Sequence, residues 1–550
     1  VSATQITVQL AGGGVRGLVV DDQEEEQAGM PVGPTLLELA DQHPDATIAW
    51  YEHDAAPKLT DPVTWHELVD GPHQARSASS LHRDDPWLAT VGAADFDSAL
   101  QVPPPADQPF GSWLLSPLAG VIAASVLLAA GAPPDDLATA AWFVVLGRRA
   151  YLSGALVWSD PRLVRPDHRH DPMPVHDAAS IAEAVRHGFG RRFLPTWVAA
   201  QPDLRHAVAA AAELPRVARQ PDSARPPAPV VWAEPTPDPQ GVAPAIDVVI
   251  PTLDRRAMLL DTLDDLGHQT LLPASVVVVE QTGGKPAGLA IDGSSRPFPF
   301  EHLVIEQLGA GNARNAGIVA GESPWILLLD DDVRFAPDML ERLWGRLRES
   351  GAGAITARLD AVASGGAHAA TLASGGAHAA SKGPVLHMWQ GFGSGCALLR
   401  RSMLEQVGGF DRRIDGGFGE DTELGVRLRL AGAMVVLTTD PHIAHLKAPT
   451  GGMRAPYPHP WRPDPARPRP SPTVLLARRS FETPPMVAGY RMHWWLDALR
   501  ADGLRFRPRR RWREWRSAHR WTDVLERRTT PEQARRLGPG PLPESSGAEP

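Results

Sequence analysis

Cysteine is almost missing from this chain of 550 residues, with Cys396 alone. That excludes an intramolecular disulfide and a thiolate zinc site. Basic residues are the minority, 54 against 64 acidic. The net charge of −10 and a pI near 6.1 exclude nucleic acid as the main partner and fit a cytoplasmic protein. A basic start followed by an apolar core is lacking at the N-terminus, so no secretory signal is expected. No apolar run reaches the roughly 20 residues of a spanning helix. The nearest, Leu118–Ala132, is short and rich in small residues, and is expected as a buried helix or helix–strand pair.

Proline and glycine are abundant, at 55 and 50, so long connecting stretches are expected. One proline-rich run, 214–244, reads as a linker. It separates an N-terminal domain (1–213) from a domain at 245–455. A C-terminal extension (456–537), partly helical and rich in Trp and Arg, and a disordered tail (538–550) complete the division. In the central domain Ile246-Asp-Val-Val-Ile, Ser275-Val-Val-Val-Val and Trp325-Ile-Leu-Leu-Leu read as buried strands. Met258–Leu266 and Pro337–Leu347 read as helices between and after them. This alternation predicts an α/β domain with a mainly parallel sheet, whose ligands sit at the carboxyl ends of the strands.

The chemistry-bearing residues cluster just there. Asp330-Asp-Asp332 follows the strand Trp325–Leu329. An isolated acidic triplet is ordinarily a solvated turn or helix cap. Delivered by an apolar strand, its alternate carboxylates Asp330 and Asp332 can converge on a hard cation such as Mg²⁺ or Mn²⁺. In Gly416-Gly-Phe-Gly-Glu-Asp-Thr-Glu a glycine turn opens a helix bearing Glu420, Asp421 and Glu423. These carboxylates either complement the helix dipole or include a general base. Asp440-Pro-His-Ile-Ala-His offers His442 and His445 as a third ligand.

Taken in order, these segments resemble the family 2 glycosyltransferases of GT-A (Rossmann-like) fold. Val248-Val-Ile-Pro-Thr-Leu-Asp-Arg is similar to that family's first strand and nucleotide-contacting loop. Gly309-Ala-Gly-Asn-Ala-Arg-Asn-Ala-Gly is similar to its Ala-Arg-Asn helix start, and Leu329-Asp-Asp-Asp-Val to its Asp-x-Asp motif. Gly393-Ser-Gly-Cys-Ala-Leu-Leu-Arg-Arg and Val407-Gly-Gly-Phe-Asp are similar to its acceptor-side segment, and Glu420-Asp421 to its base-carrying pair. The resemblance implies Asp330, Asp332 and His445 as metal ligands, with His442 as the alternative, and Asp421 as base beside Glu420. It implies Pro251, Thr252, Asp254, Arg255, Glu280, Arg314 and Asp331 on the nucleotide, and Trp389, Gly395 and Glu423 on the acceptor side. Glu280-Gln281 stands where many members carry an aspartate pair, so the nucleobase is not assigned.

The expected function is therefore an inverting, metal-dependent glycosyltransferase. It would use Mn²⁺ or Mg²⁺ and a nucleotide-diphosphate sugar, with a glycan, lipid-linked or small-molecule acceptor, as in cell-surface polysaccharide or glycolipid synthesis. Two alternatives are a non-catalytic nucleotide- or sugar-binding scaffold and a sugar nucleotidyltransferase. The second lacks a glycine-rich triphosphate loop after the first strand. Arg505-Phe-Arg-Pro-Arg-Arg-Arg-Trp-Arg-Glu-Trp-Arg reads either as a packed helical extension or as a peripheral contact with the inner membrane face. The octapeptide Ala-Ser-Gly-Gly-Ala-His-Ala-Ala, repeated within 363–380, reads as a duplicated loop rather than a metal tract. Leu152-Ser-Gly-Ala-Leu-Val-Trp-Ser-Asp-Pro resembles Leu430-Ala-Gly-Ala-Met-Val-Val-Leu-Thr-Thr-Asp-Pro, with a two-residue gap. Residues 1–213 are on that basis either a degenerate GT-A-like domain or a chance likeness between Gly/Ala-rich stretches.

Overall fold

The computed structural model describes residues 4–12, 14–21, 23–25, 29–69, 71, 73–78, 105, 107–169, 177–201, 203–220, 226–235, 243–288, 291–361, 383–389, 391–447, 457–503 and 506–540. The duplicated octapeptide and most of the expected tail lie outside them. The chain divides into two compact units. One holds 1–232, 382–390 and 482–504; the other holds 233–381, 391–481 and 505–550. The first half of the expected linker belongs to the first unit, because Ala228 and Val230 donate to Ala129 and Ser153 carbonyls and Trp232 is buried.

The first unit is built on one sheet. Its elements are β1 (Gln5–Ala11), β2 (Gly14–Val20), β3 (Gln23–Glu25), α1 (Val32–Gln42), β4 (Thr47–Glu52), β5 (Gln74–Ser77), β6 (Phe110–Gly111), β7 (Ala119–Ala123), α2 (Ala124–Ala130), α3 (Thr139–Ser153) and β8 (Leu156–Ser159). The order across the sheet is β3-β2-β1-β4-β7-β5-β8-β6. The run Leu118–Ala132 resolves into β7 and α2, a buried strand feeding directly into a helix. Gly131 and Gly154 end α2 and α3 at φ of 66° and 89°, a conformation that favours glycine. Helices α4 (Ala178–Gly188), α5 (Leu194–Ala199) and α6 (Leu204–Val217) follow. Among the described residues no helix is long and apolar enough to cross a membrane.

The second unit begins with β9 (Ile246–Thr252), fully buried as its β-branched run demands. It continues with α7 (Arg256–Gly267), β10 (Ser275–Gln281), β11 (Phe300–Ile305), α8 (Ala310–Ile318), β12 (Trp325–Leu329), β13 (Val333–Phe335), α9 (Met339–Ser350) and β14 (Ala354–Ala361). Pro337 precedes α9 rather than opening it. The strand β15 (Leu386–Met388) counts with the first unit, where the Val157 amide donates to Met388 Sδ. Then come β16 (Cys396–Arg400), α10 (Arg401–Val407), α11 (Glu420–Leu430) and β17 (Val435–His445).

Strands β11, β10, β9 and β12 pair in parallel. Beyond them the sheet is mixed: β16 runs antiparallel to β12 and β14, β17 parallel to β14, and β13 antiparallel to β17. The expected parallel sheet is therefore its nucleotide-side half. The turn after β12 lies at the junction of the two halves, next to the carboxyl end of β9. In the C-terminal region α12 (Pro472–Arg479) and α14 (Pro508–Arg528) belong to the second unit and α13 (Pro484–Asp502) to the first.

Candidate active site

Strand β12 ends where its apolar run ends, and Asp330 is held there by its amide donating to the Gly395 carbonyl at 2.9 Å. The three aspartates then diverge. Asp331 turns inward: Thr252 Oγ1 donates to it at 2.7 Å and Arg255 Nη1 at 2.8 Å. Burial pushes its carboxyl up to about 6 against these partners. Asp330 and Asp332 remain on one side. Pairing of β13 with β17 sets His445 opposite Val333, and His445 Nε2 comes within 3.3 Å of Asp332 Oδ1. One ligand atom from each of Asp330, Asp332 and His445 lies within 4.8 Å of the others. Two carboxylate oxygens and an imidazole nitrogen suit Mg²⁺ or Mn²⁺. His442 instead meets Asp360 at 2.9 Å, outside this group.

Two arginines hold the carboxylates. Arg255 Nη1 also lies 3.2 Å from Asp332. Arg314, on α8, donates to Asp330 at 2.8 Å and lies 3.8 Å from Glu420. Burial opposes its charge, but Asp330, Glu420 and Asp421 outweigh burial and hold its pKa above the usual value. At the start of α11, Asp421 accepts from the Ser394 hydroxyl at 2.9 Å, and its carbonyl accepts from the Phe392 amide. Burial raises both the Asp421 and Glu420 carboxyls, and the Asp421 charge adds to the shift at Glu420. A carboxylate whose pKa is raised by burial is a stronger proton acceptor when ionised.

Gly395 sits against the metal-capable group. A Cβ there would stand 2.8 Å from Asp330 Oδ2 and 2.6 Å from Leu359 Cδ1. Glu423, one turn along α11, points elsewhere: Arg427 grips it at 2.8 and 2.7 Å, and Arg535 meets it at 2.9 Å. Trp389 is half-buried and counts with the first unit. Pro251 is buried in β9, while Asp254 sits at φ 56° with its carboxylate 3.7 Å from Lys285. Glu280 accepts from the Gly288 amide at 2.7 Å and meets His302 at 3.0 Å.

Two residues of the site escape a sequence reading. Ser394 is an ordinary hydroxyl until it is seen on Asp421. Asp415 is buried and accepts from the Gly311 and Asn312 amides at 2.8 and 3.1 Å. It thereby caps α8, the helix that carries Arg314. Burial pushes its carboxyl up to about 7, against the lowering effect of those amides. Gly309 and Gly311 make room for it, since a Cβ at either would stand within 2.8 Å of its carboxylate.

Residues 247–408 match the sequence model described as Glycosyl transferase family 2. That segment belongs to the family. The match takes in Asp330 and Asp332 but stops before Asp415, Glu420, Asp421 and His445, which join the glycosyltransferase segment through geometry. The chain is 26% identical over 228 residues to the O-antigen biosynthesis protein RfbC of Myxococcus xanthus, covering 37% of this chain and 17% of that protein. It is 29% identical over 99 residues to the uncharacterized glycosyltransferase YwdF of Bacillus subtilis, covering 18% and 36%. The chain thus spans well under half the length of either relative. Among solved structures, S. aureus TarS 1–349 in complex with UDP-GlcNAc aligns at TM-score 0.29 and 15% identity, over 39% of this chain and 61% of that one. GalNAc-T7 with UDP, GalNAc and Mn²⁺ aligns at TM-score 0.31 and 12% identity, over 43% and 48%.

Proposed function

We propose that the second unit transfers a sugar from a nucleotide-diphosphate donor to an acceptor hydroxyl, inverting the anomeric centre. One observation carries the reading. A metal-capable trio, Asp330, Asp332 and His445, is joined to the carboxyl pair Glu420 and Asp421 by Arg314, which meets both Asp330 and Glu420. Mn²⁺ or Mg²⁺ held there would neutralise charge on the departing diphosphate. Thr252 and Arg255 fix Asp331, which ties the end of β9 to the site, and Pro251 and Asp254 there would meet the nucleotide.

The acceptor oxygen forms its bond to the anomeric carbon as the bond from that carbon to the phosphate oxygen breaks. The electron pair leaves with the nucleotide diphosphate, and the acceptor proton passes to Asp421. Ser394 holds that carboxylate in place by hydrogen bonding to Oδ1. Burial, with the nearby Asp330 charge, keeps Asp421 basic. Glu420 stands beside it with its own carboxyl raised by burial and by the Asp421 charge, and Gly395 puts no side chain beside Asp330. The acceptor we propose is a cell-surface polysaccharide or glycolipid precursor, in keeping with the O-antigen biosynthesis protein among the relatives.

The C-terminal helix supports a site of action at the inner membrane face. On α14 the buried side carries Trp515, Ala518, Trp521 and Leu525, while Arg509, Trp512, Arg513 and Arg516 face outward. An arginine and tryptophan face suits anionic headgroups. Co-sedimentation with vesicles containing anionic lipid should fall in an Arg509→Glu, Arg513→Glu, Arg516→Glu variant.

The central test is nucleotide release from a panel of sugar nucleotides with Mn²⁺ or Mg²⁺, run beside a thermal-shift panel of UDP, GDP, dTDP, CDP and ADP. One nucleotide should raise the melting temperature only with metal. Asp421→Asn should keep that shift while losing turnover by 10²-fold or more, the usual scale for a general base. Full turnover in Asp421→Asn refutes the assigned base, and pyrophosphate release from a nucleoside triphosphate would replace the reading with nucleotidyl transfer.

A further inference from the structure

We propose that residues 47–159 are a second copy of the glycosyltransferase core found at 325–437, and that its catalytic position is filled by an aromatic cluster. The first unit is on this view a silent copy, and the chain has one transfer centre.

The strand orders carry the first step. In the first unit β1-β4-β7-β5-β8 lie side by side; in the second, β9-β12-β16-β14-β17 do. The directions agree at every step: parallel, antiparallel, antiparallel, parallel. The chain also visits the strands in the same sequence, skipping from the second to the fourth before returning to the third.

The registers then fix which residue answers to which. Thr47 faces Ala123, the last residue before α2, and Trp325 faces Arg400, the last before α10. Ala75 and Ala354 face the next residues in from those ends, Ile122 and Leu399. They in turn face Val157 and Val435. So Val157 answers to Val435, reached through three strand pairings. The independent sequence match of Leu152–Val157 with Leu430–Val435 gives the same pairing without any gap.

The connections agree as well. Each copy runs from a five-residue strand (β7, β16) straight into a seven-residue helix (α2, α10). Those helices end at Gly131, with φ 66° and ψ 171°, and Gly408, with φ 79° and ψ 170°. The following helix in each copy is succeeded by a glycine at φ 89°, Gly154 and Gly432. The Glu52 amide donates to Leu118 as the Asp330 amide donates to Gly395.

With the register set, the chemistry can be compared position by position. Asp330 and Asp332 answer to Glu52 and Asp54. Glu420 and Asp421 answer to Trp142 and Phe143. Both aromatics are buried, at 3% and 0% exposure, and Phe143 stacks on Trp50 with centroids 5.0 Å apart. An aromatic ring can neither accept an acceptor proton nor leave room for the acceptor. The donor side has been exchanged too. After β1 the chain makes the antiparallel hairpin β2–β3, whereas after β9 it forms α7, β10, β11 and α8, the elements that bring Glu280 and Arg314. Among the described residues, the Glu52 and Asp54 carboxylates therefore stand without a nucleotide-binding half beside them.

Isothermal titration of the full chain with UDP, GDP, dTDP, CDP and ADP in Mn²⁺ tests the inference. One equivalent of one nucleotide should bind per chain. Asp332→Ala should weaken it at least tenfold, and a Glu52→Ala, Asp54→Ala double variant should leave it unchanged. A second equivalent, or binding that survives Asp332→Ala and is lost in the double variant, overturns the inference. Absence of binding by all five would instead refute the function proposed for the second unit. The copy is then decided by an experimental structure of the chain. With β4, β7, β5 and β8 laid on β12, β16, β14 and β17, Phe143 should fall on Asp421; a one-residue slip in any of these pairings overturns it.

Discussion

Gly395→Ala is a small change whose effect should fall on metal affinity more than on stability. A Cβ at 395 would stand 2.6 Å from Leu359 Cδ1 and 2.8 Å from Asp330 Oδ2. Both are closer than real Cβ contacts allow. The leucine methyl is the end of a flexible side chain and can yield. The carboxylate cannot keep its place: it has to swing toward solvent, where its 27% exposure makes rehydration easy. That movement breaks the 2.8 Å bond from Arg314. Losing one charge-assisted bond, partly offset by rehydration, costs on the order of 1 kcal/mol of fold stability. Losing one of three protein ligands costs more on the binding side, at least about 1.4 kcal/mol or tenfold in metal affinity. The assay is the melting temperature against Mn²⁺ concentration at fixed nucleotide. A ligand at about 100 times its dissociation constant adds roughly 2.7 kcal/mol, which is a few degrees for a unit of this size. Gly395→Ala should shift that titration at least tenfold to higher metal while the metal-free melting temperature falls by about 2–4 °C. An unchanged metal titration would refute the placement of Asp330 as a ligand beside this glycine.

Three further outcomes follow from the same geometry. His445→Ala should abolish the metal-dependent thermal shift and His442→Ala should preserve it, because His445 meets Asp332 whereas His442 meets Asp360; the reverse result exchanges the two. Asp415 has its carboxyl raised by burial to about 7, so the folded chain holds a proton that the unfolded chain releases near pH 4. Its contribution is full below pH 4 and lost as pH rises through about 7, by up to about 4 kcal/mol. Asp415→Asn should flatten the urea midpoint between pH 4 and 7, and an identical slope would sink the assignment. Glu423→Ala strands Arg427 and Arg535 without their shared carboxylate. It should cost about 3 kcal/mol in urea unfolding yet leave the acceptor KM unchanged, whereas a raised KM would return Glu423 to the acceptor side.

Much of the second unit is legible in the sequence because its signals are local. The buried strands at 246, 275 and 325 are β-branched or leucine runs with polar ends, and the acidic triplet stands where the apolar run stops. Asp330, Asp332 and His445, with His442 as the alternative, could be proposed from motif order and the family resemblance, and the fold brings ligand atoms of the first three within 4.8 Å of one another. Roles that depend on rotamer and partner are not local. Glu423 lies two residues past Asp421, yet the helical turn sends it to Arg427 and Arg535, and no pattern in the sequence announces Arg535 as its neighbour. Asp415 was invisible for the opposite reason. A single aspartate among glycines looks like a turn, and only the fold brings two amides of α8 to it across about a hundred residues of chain. The spacing of glycines around it, Gly309, Gly311 and Gly416, was the available signal.

The N-terminal half resisted reading for a different physical reason. A fold is specified by the periodicity and volume of its buried residues, and many sequences satisfy the same pattern. On the proposed correspondence, the buried Trp142 and Phe143 take the helix positions that Glu420 and Asp421 hold in the second unit, and a helix accommodates either pair. The motifs used to recognise a transferase are the residues that stability does not require. Losing them erases the signature and leaves the strand order, which only paired registers reveal. The surviving likeness lies where geometry still constrains identity, at Gly154 and Gly432, whose backbone at φ 89° favours glycine on either side of any change in function.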